Sequence, residues 1–523
     1  MTPTVAQYCK VTVAAMDSQQ VDRKVLVACQ QLPLSEDAAA LYFTLLNPPQ
    51  EEYLCTLVLK PLPLCACAVY NEDDPSETLW YAVLNDHKAQ VELAIAEGAD
   101  LEVKLGHHHD TPLTLAAKNG YLDVVETLIA AGADVDSTRD DGATPLCAAA
   151  EKNHAGVVLA LLRADAKVDK PKTSGITPLL AASRSGYVEV VQSLIRAGAD
   201  VNLEQNTGTT PLMAASWEGH ADVVSVLLDA GADPNKDSYC PPIVCAATYA
   251  HLEAVVVLLD SEGLDVDGRR DHDGATALIA ATHSTSPRRA AVVAALIVKG
   301  ADLELKSRTN GTTALYEAAQ RGHLDVVMEL IGGRADLNEE KAGSLETPLF
   351  AATAGGHVDV VRALLVAGAG PDIRSHEGLT PLIVAARRGD SDVVETLLEG
   401  GADPIKWDER GMAPLHRASN TIGPDSERIV LLLVRRGGNV NAVDNEGNTP
   451  LMFAAYFGNL GAARILVGEG AGVGAQNGVG GTAVDLICDC RLDVDRLDAP
   501  QCPAGGCDVE GTESRIRTLL LAD

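Results

Sequence analysis

The sequence predicts an all-α repeat solenoid: stacked helix-turn-helix repeats joined by β-hairpin fingers, with a small N-terminal region of mixed α/β character. Three observations carry that prediction. The phrase Thr-Pro-Leu recurs at 111–113, 144–146, 177–179, 210–212, 347–349, 380–382 and 449–451. Its prolines at 112, 145, 178 and 211 stand 33 residues apart, as do those at 348 and 381, and a period of this size marks a stacked array. Hydrophobic residues make up 46% of the 523-residue chain but aromatic ones only 3%. A core of Ala, Leu, Val and Ile suits thin helices packed closely.

Residues 1–72 differ from the rest. By β-branched content and alternation, strands are expected over 11–13, 42–46 and 54–59. A helix is expected over 20–32, with Val21, Val25, Cys29 and Leu32 on one face. This order is similar to the ubiquitin-like fold of Ras-association domains and FERM first lobes. The alternative is an irregular cap over the first repeat. The acidic stretch 71–75, ending in Pro75, marks the boundary to an array over 73–523.

The repeat over 111–136 shows what each position does. Thr111 caps a helix, and Pro112 fits its first turn, where no amide donor is needed. Ala116 and Ala117 let neighbouring helices approach. Gly120 takes the left-handed conformation that stops the helix. Val124, Val125, Leu128 and Ile129 give a second helix with one buried face. Gly132-Ala133-Asp134 ends it and turns into the finger. These residues, with Gly219-His220, Gly322-His323, Gly356-His357 and Gly198-Ala199-Asp200-Val201-Asn202, resemble the ankyrin-repeat family. Counting helix starts from Thr78 to Ala483 gives thirteen repeats.

Departures from the pattern are local. Tyr239-Cys240-Pro241-Pro242 replaces Gly-x-Thr-Pro. Insertions at 283–289 and 421–427 lengthen turns between helices. The last repeat is split, with a first helix holding Leu486 and Ile487 and a second over 514–521. Atypical end repeats are expected, since one face lacks a partner.

Composition excludes several classes of function. The formal net charge of −32 makes nucleic acid and anionic membrane poor partners. The apolar run 57–69 is broken by Lys60, Pro61 and Pro63 and is no membrane span. A soluble, cytoplasmic protein with reduced thiols is expected, the nucleus being open to it as well. No phosphate-cradling loop, Gly-x-Ser-x-Gly or His-Glu-x-x-His occurs, so neither enzymatic activity nor a cofactor is expected. Cys488, Cys490, Cys502 and Cys507 could supply four thiolates to zinc, but their spacing matches no Cys-x-x-Cys pair. Adjacent histidines at 107–109 diverge in an extended finger and do not chelate together. Asn202 stands where the finger sequence is similar to that modified by asparaginyl hydroxylases; the structural alternative is that it satisfies the turn. Thr285-Ser286-Pro287 is a candidate phosphorylation segment.

The resemblance implies partner binding on the concave surface made by the fingers and the exposed side of each first helix. There the sequence places Arg184, Trp217, Tyr249, Arg321, Arg387, Arg388, Tyr456 and Phe457, with Trp407 and Arg410 at a fingertip. Two of the chain's three Trp fall in this set, and Trp, Tyr and Arg are the types enriched at binding hot spots. Arginines in so acidic a chain point to a protein partner with an acidic stretch. The helix dipole offers another reason for cations at helix C-termini. The function expected is a non-catalytic scaffold or adaptor. The alternatives are a structural subunit of a cytoskeletal or ciliary assembly, or a regulator recruiting substrate to a partner enzyme.

Overall fold

The computed structural model describes residues 74–106, 108–236, 239–487 and 512–521, with the backbone of two strands at 40–45 and 55–60. The chain falls into two compact bodies, 1–174 and 175–523.

In the first body, β1 (Ala40–Leu45) pairs antiparallel with β2 (Cys55–Lys60), Ala40 opposite Lys60 and Leu45 opposite Cys55. Both lie within two residues of their sequence-based positions. The strand expected at 11–13 and the helix at 20–32 fall outside the described residues. Three helix pairs follow: α1 (Pro75–Leu84) with α2 (Lys88–Ala96), α3 (Pro112–Asn119) with α4 (Leu122–Ala130), and α5 (Pro145–Glu151) with α6 (Ala155–Arg163). The first helix begins three residues before Thr78. Asp74 caps it, its carboxylate accepting the Ser76 amide at 2.8 Å, and Pro75 takes the first turn. Part of the acidic boundary stretch is thus this helix's own N-terminus.

The second body continues the pattern. It holds α7 (Pro178–Ser185) and α8 (Val188–Arg196), α9 (Pro211–Glu218) and α10 (Ala221–Asp229), α11 (Pro242–Thr248) and α12 (Leu252–Leu259). Next come α13 (Ala277–His283) and α14 (Arg289–Val298), α15 (Ala314–Arg321) and α16 (Leu324–Gly332), α17 (Pro348–Gly355) and α18 (Val358–Ala367). The last are α19 (Pro381–Arg388) and α20 (Ser391–Glu399), α21 (Pro414–Ser419) and α22 (Ser426–Arg435), α23 (Pro450–Tyr456) and α24 (Leu460–Gly468), then α25 (Thr512–Leu520). Both insertions read from the sequence fall between paired helices, at 284–288 and 420–425.

The helices start where the Thr-Pro-Leu phrase says they should. Thr111, Thr144, Thr177, Thr210, Thr276, Thr313, Thr347, Thr380 and Thr449 each accept the amide three residues on, at 3.1–3.4 Å. Each such cap stabilises its helix by about 1 kcal/mol. The paired helices bury one face each; in the α9–α10 pair Leu212, Ala215, Val223, Val224 and Leu227 are fully enclosed. Burying a Val or Leu contributes about 1.5–3 kcal/mol, so these short helices are held by their neighbours rather than by propensity.

Two devices join one repeat to the next. The first is a histidine hook. His220, His251 and His357 donate through Nε2 to the carbonyls of Arg184, Trp217 and Gln320 in the preceding first helix, at 3.0–3.1 Å. These carbonyls belong to the helix end that has no internal donor. The second is a relay through the turns that open the fingers. Asp233 Oδ1 accepts the Asn235 amide at 2.9 Å, and Asn235 Oδ1 accepts the Asp265 amide of the next turn at 2.7 Å. The relay runs on through Asp267 to Asp302, Glu304 to Asp336 and Asn338 to Gly370, at 2.8–3.0 Å. Asn202 is one of its links: Oδ1 accepts from Asp233 at 2.9 Å while Nδ2 donates to the Gly231 carbonyl at 3.3 Å. That is the structural role weighed for this residue.

The fingers are closed turns rather than long hairpins. Gln205 N bonds the Thr209 carbonyl at 3.0 Å and Asp408 N that of Met412 at 3.1 Å. Among the described fingers only Leu105 and Asp110 form a bridge of the kind seen in a ladder. Arms of two or three residues leave no room for more.

The last repeat departs from its expectation. Residues 483–486 make a turn, not a helix. Asp485 draws in both the hydroxyl and the amide of Thr482, at 2.6 and 2.9 Å, where a threonine elsewhere caps the amide three residues on. The expected second helix is present as α25, packed on α24 through buried Ile516 and Leu520.

Candidate partner-binding face

The face of interest in the second body is formed by the C-terminal ends of the first helices and the fingers beside them. A cleft of about 610 Å³ opens there. Trp217 from α9 and Tyr239 from the following finger wall it, Arg184 from α7 and Thr207 from a finger flank it, and Met213 and Cys245 floor it. The Trp217 and Tyr249 rings meet edge to face with centroids 5.0 Å apart, and Tyr249 stacks on His251 at 5.9 Å. The hook from His251 to the Trp217 carbonyl thus fixes an aromatic cluster as well as a helix end. Tyr249 remains 46% exposed.

A second cluster lies further along. Tyr456 and Phe457 meet edge to face at 5.0 Å, and Phe457 stacks on Phe453, which in turn meets His416 at 5.8 Å. Trp407 stands apart, 56% exposed on its fingertip, with Arg410 exposed beside it. That finger is braced from below: the buried Asp408 carboxylate accepts from the Arg410 and Met412 amides at 2.9 Å each and from Arg417 at 2.6 Å.

The four first-helix arginines differ in what they touch. Arg184 and Arg387 are exposed and form no ion pair among the described residues. Arg321 approaches Glu317 at 3.5 Å. Glu317 itself is buried, and His283 and Thr312 also hold it, at 3.1 and 2.8 Å. Burial alone would raise its pKa, but these bonds and the Arg321 charge outweigh it and lower the carboxyl to about 2. Arg388 lies over Gly356, next to Asp390, at the spot the hook histidine fills in other repeats. Sequence reasoning missed Met213 and Phe453 as lining groups, and the charged pair Asp408–Arg417 beneath Trp407. The signal for that pair was a Glu or Arg in place of the usual small residue, at Glu317 and Arg417.

Charge is sorted along this face. The positions aligned with Trp217 and Glu218 in the second body's first helices carry Arg184, Arg321, Arg387 and Arg388 and a single carboxylate, Glu218. The whole chain has 73 acidic residues against 41 basic ones. By contrast some second-helix charges pair across repeats, as in Arg428 with Asp392 and Glu395 at 2.8 and 2.5 Å. Among the described residues no group of three His, Cys, Asp or Glu is placed to hold a metal. His109 instead bonds Asp140 at 2.6 Å. Cys488, Cys490, Cys502 and Cys507 lie outside the described residues. No described helix is long and apolar enough to cross a membrane.

Comparison with known proteins agrees with the geometry. The family model for ankyrin repeats in three copies matches residues 58–139, 79–172, 146–238, 286–375 and 349–444, and the many-copy form matches 432–487. The chain belongs to the ankyrin-repeat family. Between the matched segments, 239–285 holds the degenerate Tyr239–Pro242 finger and the start of the first insertion. Protein phosphatase 1 regulatory subunit 27 of Homo sapiens is 42% identical over 65 residues, which is 12% of this chain and 39% of that protein's length. Family and fold together give this chain a protein-interaction role.

Proposed function

We propose that the chain is a non-catalytic adaptor or scaffold that holds an extended acidic segment of a partner protein along the first-helix face of its second body. The observation behind this reading is the sorted charge: unpaired Arg184 and Arg387, with only Glu218 as a carboxylate in their row. Trp217 with Tyr249 supplies an apolar anchor between Arg184 and Arg321, and Tyr456 with Phe457 a second one beyond Arg388. Rigid aromatic and Arg anchors carry most of the energy of such contacts, about 2 kcal/mol or more each.

A library of ten-residue peptides of graded charge, titrated against the full chain, tests this. Acidic members should bind preferentially, and more weakly as salt rises. Trp217→Ala should weaken binding about 30-fold, and Arg184→Ala with Arg387→Ala should erase the preference for acid. Equal binding of acidic and basic members would sink the proposal. A second reading, a regulator of a partner enzyme, is favoured by the 65-residue likeness to a phosphatase regulatory subunit. Its sign would be a change in a phosphatase catalytic subunit's turnover of an acidic phosphopeptide when the chain is added.

A further inference from the structure

Helix α11 begins unlike its counterparts. Where nine other first helices have a capping Thr, Pro241 occupies the cap and makes no side-chain bond. Cys240 precedes that cap, and Cys245 is the fourth residue of the helix. Side chains at these two positions meet across a helix N-terminus and commonly form an apolar staple. Here two sulfurs form it, Sγ to Sγ 2.9 Å apart, with both residues buried. A disulfide spans about 2.05 Å, so bond formation needs a shift of about 1 Å. Cys245 also floors the cleft beneath Trp217 and Tyr239. A small reagent entering that cleft meets Cys245 first, with Cys240 behind it.

We propose that Cys240 and Cys245 are a reversible disulfide site whose oxidant is a low-molecular-weight disulfide of the glutathione class. The Cys245 thiolate attacks one sulfur of the reagent, forming a mixed disulfide and expelling one small thiolate. The Cys240 thiolate then attacks the Cys245 sulfur, forming the protein disulfide and expelling the second. The two protein thiol protons end on the two small thiolates, so the dithiol is oxidised and one reagent disulfide is reduced to two thiols. The Cys240 sulfur and burial hold the Cys245 thiol above its ordinary pKa. The reaction is therefore slow at neutral pH and quickens as pH rises. The bond ties the residue next to Tyr239 to α11, and so stiffens one wall of the cleft. Only the effect on partner binding rests on the groove reading above; the bond itself does not.

The test uses the full chain, incubated at pH 8 with oxidised glutathione, then unfolded, alkylated, digested and read by peptide mass. The peptide holding Cys240 and Cys245 should lose both alkyl labels, weigh two hydrogens less than the free dithiol, and regain the labels after reduced glutathione. Cys240→Ser should instead retain a glutathione adduct on Cys245. In the oxidised wild type, amide exchange over 239–245 should slow at least tenfold. Full alkylation of both cysteines after oxidant overturns the proposal, as does a lasting adduct on wild-type Cys245. Equal modification of Cys147, which is buried away from the cleft with its thiol pushed up to about 12, would show reaction through unfolding and overturn it too.

Discussion

Gly219→Ala separates two costs that the fold combines at one residue. Gly219 has φ of 79°, a left-handed conformation in which an L side chain costs about 1–2 kcal/mol. A Cβ there would also fall 2.5 Å from the His251 ring. Pushing that ring aside loses its bond to the Trp217 carbonyl, about 0.5–1.5 kcal/mol, and its stacking on Tyr249, about 0.5–1.5 kcal/mol. The total comes to about 2–5 kcal/mol. Gly231 supplies the control: its φ is 86°, but nothing lies within 4 Å of where its Cβ would stand. Gly231→Ala therefore carries the backbone cost alone. A repeat array opens locally, so amide hydrogen exchange is the suitable assay rather than a global melt. Protection over 211–229 and 251–259 should fall about 30-fold to several thousandfold in Gly219→Ala. Around Gly231, the Gly231→Ala variant should lose about 5- to 30-fold. Adding His251→Ala to Gly219→Ala should cost less than the sum of the two, because the ring that clashes is already gone. Equal losses at the two glycines, or strict additivity, would refute the argument that His251 is what Gly219 makes room for.

Three further outcomes follow from particular side chains. Glu317, held at about 2 in the fold against an ordinary 4.5, contributes stability at neutral pH that is lost as pH falls from about 4.5 towards 2. The difference is about 3 kcal/mol, and Glu317→Gln should flatten that stretch of the acid-unfolding profile read by exchange over 314–332. Arg417→Met leaves the buried Asp408 without its cation and should destabilise the Trp407 finger by about 3–5 kcal/mol, seen as a shift in Trp407 emission at lower denaturant. Asn235→Ala removes a link of the relay, with its bonds to Asp265 N and Gly263 O. It should cost about 1–3 kcal/mol and raise exchange in the turns at 231–236 and 263–268 together, whereas a purely local role would change only the first.

Much of the fold was legible because its rules are local. Thr, Pro, the small pair and Gly act within one helix, so nine threonine caps fall where the Thr-x-Leu frame puts them. Thr482 fails because Asp485, three residues away, competes for it. What stayed hidden is whatever depends on a partner one period off. The histidine hooks, the Asn and Asp relay and the pairing of His283 with Glu317 use residue types that a single sequence reads as turn or surface. The candidate site was legible in outline for the same reason. Trp217, Tyr249, Tyr456 and Phe457 were placed by counting from the cap, while Cys240 sat in a finger whose motif had decayed. Arg388 shows the limit of counting: its backbone is in register, yet its guanidinium turns back over Gly356, because Asp390 stands where a histidine would have been.

The relay through the finger turns also determines where the chain can change length. Most of these turns are held by a side chain one period earlier, so adding residues there would shift the donor away from its acceptor. A whole repeat can be copied with its relay intact, since the linking positions recur with the period. The turn between paired helices takes no part in that relay, its ties to the preceding repeat being the hook and a few side-chain bonds, and it is there, at 284–288 and 420–425, that this chain has grown. Growth of the array is thus quantised on one edge and continuous on the other, leaving new loops as the free raw material for distinguishing one repeat from its copies.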